Sequence, residues 1–112
     1  METICVRGGE SVRVPCPNAT ADEMNFHLYK NQEVISNITC KRENNTLQCS
    51  KPHASVDSEV IDSKQHPLVS FVLTGVRDSN NVNYRCEGVF KFPPPFTKKN
   101  VIIQVLKEGK YS

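Results

Sequence analysis

Apolar and polar residues alternate with a period of two through most of this chain, and no stretch carries a 3.6-residue apolar stripe long enough for a substantial helix. In Ser11-Val-Arg-Val-Pro-Cys16 the inward set is Val12, Val14 and Cys16, while Ser11, Arg13 and Pro15 face out, as in a half-buried strand. Pro15 has no amide hydrogen for a ladder, so that outward position is a local defect. Met24, Phe26 and Leu28 alternate with Asn25, His27 and Tyr29 to give the next core strand. Val69, Phe71 and Leu73 alternate with Ser70, Val72 and Thr74; Val76 then turns over the core ahead of a polar corner from Arg77 to Asn83. The following strand points Tyr84, Cys86, Gly88 and Phe90 inward and leaves Arg85, Glu87, Val89 and Lys91 outside. Val101 to Leu106 is more uniformly apolar, a final strand whose register the alternation does not fix. The chain reads as all-β, with no internal repeat or low-complexity linker.

Short strands separated by turn signals argue for a sandwich or a barrel, and cysteine placement decides between them. Cys16 lies on an early strand and Cys86 on a late one, 70 positions apart, with Tyr84 two residues before the second cysteine in the tyrosine-corner position. A cross-sheet Cys16–Cys86 bridge follows, worth about 4 kcal/mol in the chain-entropy account of so long a loop. The expected architecture is a two-sheet immunoglobulin sandwich with Greek-key topology. At 112 residues there is room for one core, so residues 1–112 are expected to form a single domain, with 1–2 an added start and 107–112 the start of a stalk.

Composition narrows the function. Hydrophobic residues are 38% of the chain, and no apolar run approaches the roughly 20 residues of a spanning helix. The formal net charge is only +2 and the cations are scattered among acids, which sets nucleic-acid binding aside. Cys5, Cys16, Cys40, Cys49 and Cys86 show no CxxC spacing or histidine pair, so disulfides are a better use for them than a metal site. His27, His53 and His66 are scattered, and neither a nucleophile elbow nor a carboxylate pair accompanies the Ser, His and Asp residues present. No catalytic constellation, metal or cofactor is expected. Three sequons, at Asn18, Asn37 and Asn44, point to an oxidising secretory route. Met1 precedes Glu2-Thr3-Ile4 with no apolar signal segment, so any signal peptide and membrane anchor are expected to lie outside the sequence.

Gly8-Gly9 through Cys16, Phe26-His-Leu-Tyr-Lys30, Val69-Ser-Phe71, Asn83-Tyr-Arg-Cys86 and above all Phe92-Pro-Pro-Pro-Phe96 stand in an order and spacing that resembles the V-type immunoglobulin domains of T-cell costimulatory and coinhibitory receptors. That group includes cluster of differentiation twenty-eight, cytotoxic T-lymphocyte antigen four and the inducible costimulator. The three prolines are the specific part, because their loop falls six residues after the cross-sheet cysteine, where such domains join their last two strands. Triple proline by itself is also common in linkers and polyproline ligands. The chain departs from the usual immunoglobulin pattern in three ways. Leu28 stands where the core tryptophan is usual, a lack the costimulatory receptors share. Asn80 replaces the acid four residues before the corner tyrosine, so the salt bridge that closes many V domains is not expected. The family's second disulfide reaches a strand nearer Val69, whereas here Cys40 and Cys49 are expected to close a small hairpin around Arg42-Glu-Asn-Asn45. Cys5 is then the odd thiol, expected on an edge strand, either free or used between chains.

Pro93, Pro94 and Pro95 fix three successive φ angles and remove three amide hydrogens, so their loop is stiff before a partner arrives. Phe92 and Phe96 flank them, either as an exposed ridge that binds a partner or as rings folded back to cap the core. The resemblance implies the first: Phe92, Pro93, Pro94, Pro95 and Phe96 would dock on a two-domain immunoglobulin ligand of the B-seven type on antigen-presenting cells. Glu87, Val89 and Lys91 share the outward face of the preceding strand, and Lys98 and Lys99 lie on the other side; these charges read as a solvated rim. The implied protein is a glycosylated cell-surface receptor of adaptive immunity, this chain being the extracellular portion of a single-pass plasma-membrane protein. In full-length relatives a stalk cysteine links a homodimer, and its equivalent would lie beyond Ser112. The alternatives are a coinhibitory receptor of the same family, or an adhesion or antigen-receptor V-like domain that uses its other end loops or pairs face to face. A Cys/His metal enzyme is a third reading, and it requires bound metal and free thiols. Asn18, Asn37 and Asn44 are expected to carry glycans, the last two away from the proline loop.

Overall fold

The computed structural model describes residues 2–6, 11–19, 21–50, 56–61, 68–74, 82–91, 96–99 and 103–107. Ten strands follow one another: β1 (Glu2–Val6), β2 (Val12–Pro15), β3 (Glu23–Lys30), β4 (Glu33–Glu43), β5 (Thr46–Cys49), β6 (Val56–Ile61), β7 (Leu68–Leu73), β8 (Val82–Phe90), β9 (Phe96–Lys99) and β10 (Ile103–Lys107). The larger sheet has the order β1-β10-β8-β3-β4-β5 with β9 also on β8, and the smaller has the order β2-β7-β6. Every pairing is antiparallel except β1 with β10, which is parallel. Two extra strands, β4 and β5, extend the sheet built on β3 and β8, which is the V-type arrangement.

The alternation read from sequence is the burial pattern of the fold. Val12, Val14 and Cys16 are buried between exposed Ser11, Arg13 and Pro15, and Met24, Phe26 and Leu28 are fully buried on β3. They share one buried cluster with Val69, Phe71 and Leu73 on β7 of the other sheet and with Tyr84, Cys86 and Phe90 on β8 beside them. Pro15 closes the β2–β7 ladder opposite Ser70, and the Cys16 amide then donates to the Val69 carbonyl at 2.8 Å, so the defect costs one bond at a strand end. Cys16 and Cys86 are disulfide-bonded, tying the two sheets together. Cys40 and Cys49 are also bonded, as register partners on β4 and β5.

The final strand expected from Val101 to Leu106 corresponds to β10, and a separate strand, β9, pairs with β8 ahead of it. Glu87 faces Lys99 and Tyr84 faces Ile103, so three steps along β8 correspond to four along the last stretch. Cys5 falls on β1, the edge strand of the larger sheet. Val76 and the corner from 77 to 81, Asn80 included, lie outside the described residues. Among the described residues, no helix is long and apolar enough to cross a membrane.

Candidate functional site

Strands β8 and β9 form a hairpin in which Phe90 is the register partner of Phe96, so Lys91 to Pro95 span a fixed pair of strand ends. Lys91 is exposed; its amide donates to the Glu23 carbonyl at 3.1 Å and its ammonium lies 3.9 Å from the Glu23 carboxylate. Phe92, Pro93, Pro94 and Pro95 lie outside the described residues, and Phe96 is placed by its backbone as the first residue of β9.

Register shows what else gathers at this end. Met24 is opposite both Phe90 and Cys40, Glu23 is opposite Lys41, and the Arg42 amide donates to the Asp22 carbonyl at 2.8 Å. Residues 17–19 and 21–22 ahead of β3, the β4–β5 turn at Asn44-Asn45 and the facing ends of β8 and β9 therefore share one end of the sandwich, the end at which the three variable-domain loops lie. Asn18 and Asn44 are exposed within the first two of these. The expectation that Asn44 sits away from the proline loop is thus corrected. Distance along the chain misleads, because β4 runs back up the sheet and carries its turn to the loop end.

The sequence reads the Asn37 sequon as a loop or strand margin; Asn37 lies instead inside β4, exposed between buried Ser36 and Ile38. It faces His27, His27 faces Glu87, and Glu87 faces Lys99, so one row crosses β4, β3, β8 and β9 on the solvent side of the larger sheet. A neighbouring row holds Thr39, whose hydroxyl donates to the Asn25 Oδ1 at 3.0 Å, and half-buried Val89.

Glu87 is also not a solvated rim charge. It is 8% exposed, and its carboxylate lies 2.6 Å from the Arg85 guanidinium. The physical reason is its place on a central strand, with β3 on one side and β9 on the other. The Arg85 guanidinium also lies over the Tyr29 ring at 4.7 Å from its centroid, a cation–π contact in the same patch. Sequence parity puts Tyr29, Arg85 and Glu87 on outward positions; that Arg85 meets Tyr29 depends on the pairing of β3 with β8, which parity does not report. At the opposite end of the sheet, Asn31, Gln32, Asn83 and Arg85 line a recess of about 430 Å³. There the Asn31 amide donates to the Asn83 carbonyl at 2.7 Å and the Asn31 Oδ1 accepts from the Asn83 amide at 3.2 Å.

His27 is half-buried on the open face, while His53 and His66 lie outside the described residues. Among the described residues, no three His, Cys, Asp or Glu side chains are grouped to hold a metal ion.

No protein-family model and no curated protein matches the sequence. In three dimensions the chain is similar to the V domain of amphioxus IgVJ-C2, with a TM-score of 0.64 and 15% sequence identity over 93% of this chain and 98% of that one. Two packed sheets, the bridge between them and this likeness together show the fold of an immunoglobulin V domain.

Proposed function

We propose that this domain is the ligand-binding ectodomain of a T-cell costimulatory receptor, and that it docks through its 92–96 loop on a two-domain immunoglobulin ligand of the B-seven type. The supporting observation is the hairpin that carries the loop. Phe90 and Phe96 are register partners, so the strand ends on either side of the three-proline sequence are fixed, at the end of the sandwich where V-domain loops gather. Such prolines lose little further entropy on binding, and their carbonyls have few local donors to compete with a partner. Two disulfides suit an extracellular, oxidising setting.

The test is a binding screen against two-domain immunoglobulin ligands by surface plasmon resonance, with loop variants run in parallel. Phe92→Ala is expected to cost about 1–3 kcal/mol of affinity, as an aromatic hot spot does, with little change in thermal stability. A Gly-Ser-Gly replacement of Pro93 to Pro95 is expected to weaken binding as well. Intact affinity in that replacement would transfer the function to another surface, the reading of an adhesion or antigen-receptor V-like domain.

A further inference from the structure

The open face of the larger sheet presents apolar and aromatic area that the fold does not cover. Val34 is 47% exposed, and its register partner Tyr29 is half-buried beneath the Arg85 guanidinium. Val89 and His27 are half-buried beside them. The two charges at the centre, Arg85 and Glu87, are paired with each other, and Glu23 lies among Lys41 and Lys91 nearer the loop end. A second copy related by a two-fold axis would therefore meet mixed signs around an aromatic, arginine-bearing centre, the composition of a protein–protein interface core.

On that face stands the Asn37-Ile-Thr39 sequon, with Asn37 and Thr39 both exposed and Ile38 buried. We propose that an N-linked glycan on Asn37 covers this face and keeps the domain from pairing face to face with a second copy of itself. Asn37 is two strands from Glu87, about 10 Å at the spacing of paired strands. A bulky, hydrated chain anchored there overlies the Tyr29, His27 and Val89 patch. Strand β5 pairs with Cys40 to Glu43, and Ser50 bonds to Thr39 beyond it; among the described residues no strand pairs with β4 beside Asn37 on that flank. In the transfer, the Asn37 Nδ2 bonds to C1 of an oligosaccharide carried on a lipid diphosphate. The C1–O bond breaks, the diphosphate leaves with the electron pair, and an amide proton passes to a base of the transferase. The inference rests on the V-domain face and is independent of which partner the loop end takes.

The experiment uses protein secreted from eukaryotic cells in a Cys5→Ser background, so that interchain thiol coupling is not mistaken for face pairing. Glycopeptide mass spectrometry is expected to find Asn37 occupied. In sedimentation velocity, the parent, Asn18→Gln and Asn44→Gln proteins are expected to remain monomeric over a range in which Asn37→Gln dimerises, its dimer being about tenfold or more tighter. Thr39→Val removes the same sequon with a β-branched residue suited to the strand, and must reproduce the dimer. Val34→Lys added to Asn37→Gln must dissolve it. An unoccupied Asn37, a monomeric Asn37→Gln protein, or a dimer indifferent to Val34→Lys each overturns the proposal.

Discussion

Gly88 sits on β8 opposite Phe26 and next but one to Phe90, and those two fully buried rings meet edge to face with centroids 6.1 Å apart. A Cβ built on Gly88 would lie 2.9 Å from the Phe26 Cε1, 3.1 Å from its Cδ1 and 3.2 Å from the Phe90 Cζ. Rings packed on all sides have nowhere to move, so Gly88→Ala is expected to destabilise the fold by about 1–3 kcal/mol, read from the denaturation midpoint. A midpoint equal to the parent's would show that the ring pair yields. Leu28 illustrates the reverse economy: it is fully buried as the register partner of Cys86, filling with a smaller side chain the place beside the bridge where immunoglobulin domains usually set tryptophan. At Glu87 the cost is electrostatic. Glu87→Ala leaves the Arg85 guanidinium over Tyr29 without its carboxylate, and about 1–3 kcal/mol of stability is expected to go with it. An Arg85→Met, Glu87→Leu double variant should recover part of that loss, because no charge is then stranded.

The β4–β5 hairpin turns through Asn44 and Asn45, whose φ angles of 51° and 65° are both left-handed, as a two-residue loop of the primed type requires. Asparagine tolerates that region and a β-branched residue does not, so Asn45→Val is expected to cost about 1–2 kcal/mol while Asn45→Gly costs nothing. Both changes keep the Asn44 sequon, so stability and glycan occupancy can be measured separately. The two disulfides also differ in kind. Cys16–Cys86 spans 70 positions and joins the sheets, whereas Cys40–Cys49 spans 9 and pins neighbouring strands. Loop-closure entropy assigns them about 4 and about 2.5 kcal/mol. Paired Cys→Ala variants are therefore expected to lose more stability at 16 and 86 than at 40 and 49. Equal losses in urea titration would show that strain or residual structure, rather than loop length, sets both values.

The core was legible in the sequence because an inward residue on an alternating strand reports its own burial, as Val12, Phe26, Phe71 and Phe90 do. Strands without clean alternation were not. β4 shifts register opposite Leu28 and Tyr29, β6 is an edge strand with Asp57, Ser58 and Glu59 at its centre, and β1 pairs on one side only. Neighbour relations between strands were equally hidden, which is why Glu87 read as solvated and Asn44 as remote. The strand ends that flank the proline loop are placed, while residues 92–95 themselves lie outside the described residues. This geometry yields a prediction about access. Asn18 and Asn44 flank the end at which the 91–95 loop emerges, so glycans on them stand beside the approach of any partner that docks there. They touch neither the prolines' stiffness nor the core, so their removal alters encounter more than the bound contacts. With occupancy confirmed by glycopeptide mass, Asn18→Gln and Asn44→Gln together are expected to raise the association rate of a loop-end ligand by roughly 2- to 10-fold and to leave its dissociation rate unchanged. Asn37→Gln, measured below the concentration at which that variant dimerises, is expected to change the association rate less. If both rates are unaffected by loss of the Asn18 and Asn44 glycans and respond instead to Asn37, the ligand approaches over the open face, and the proline loop is not where it lands.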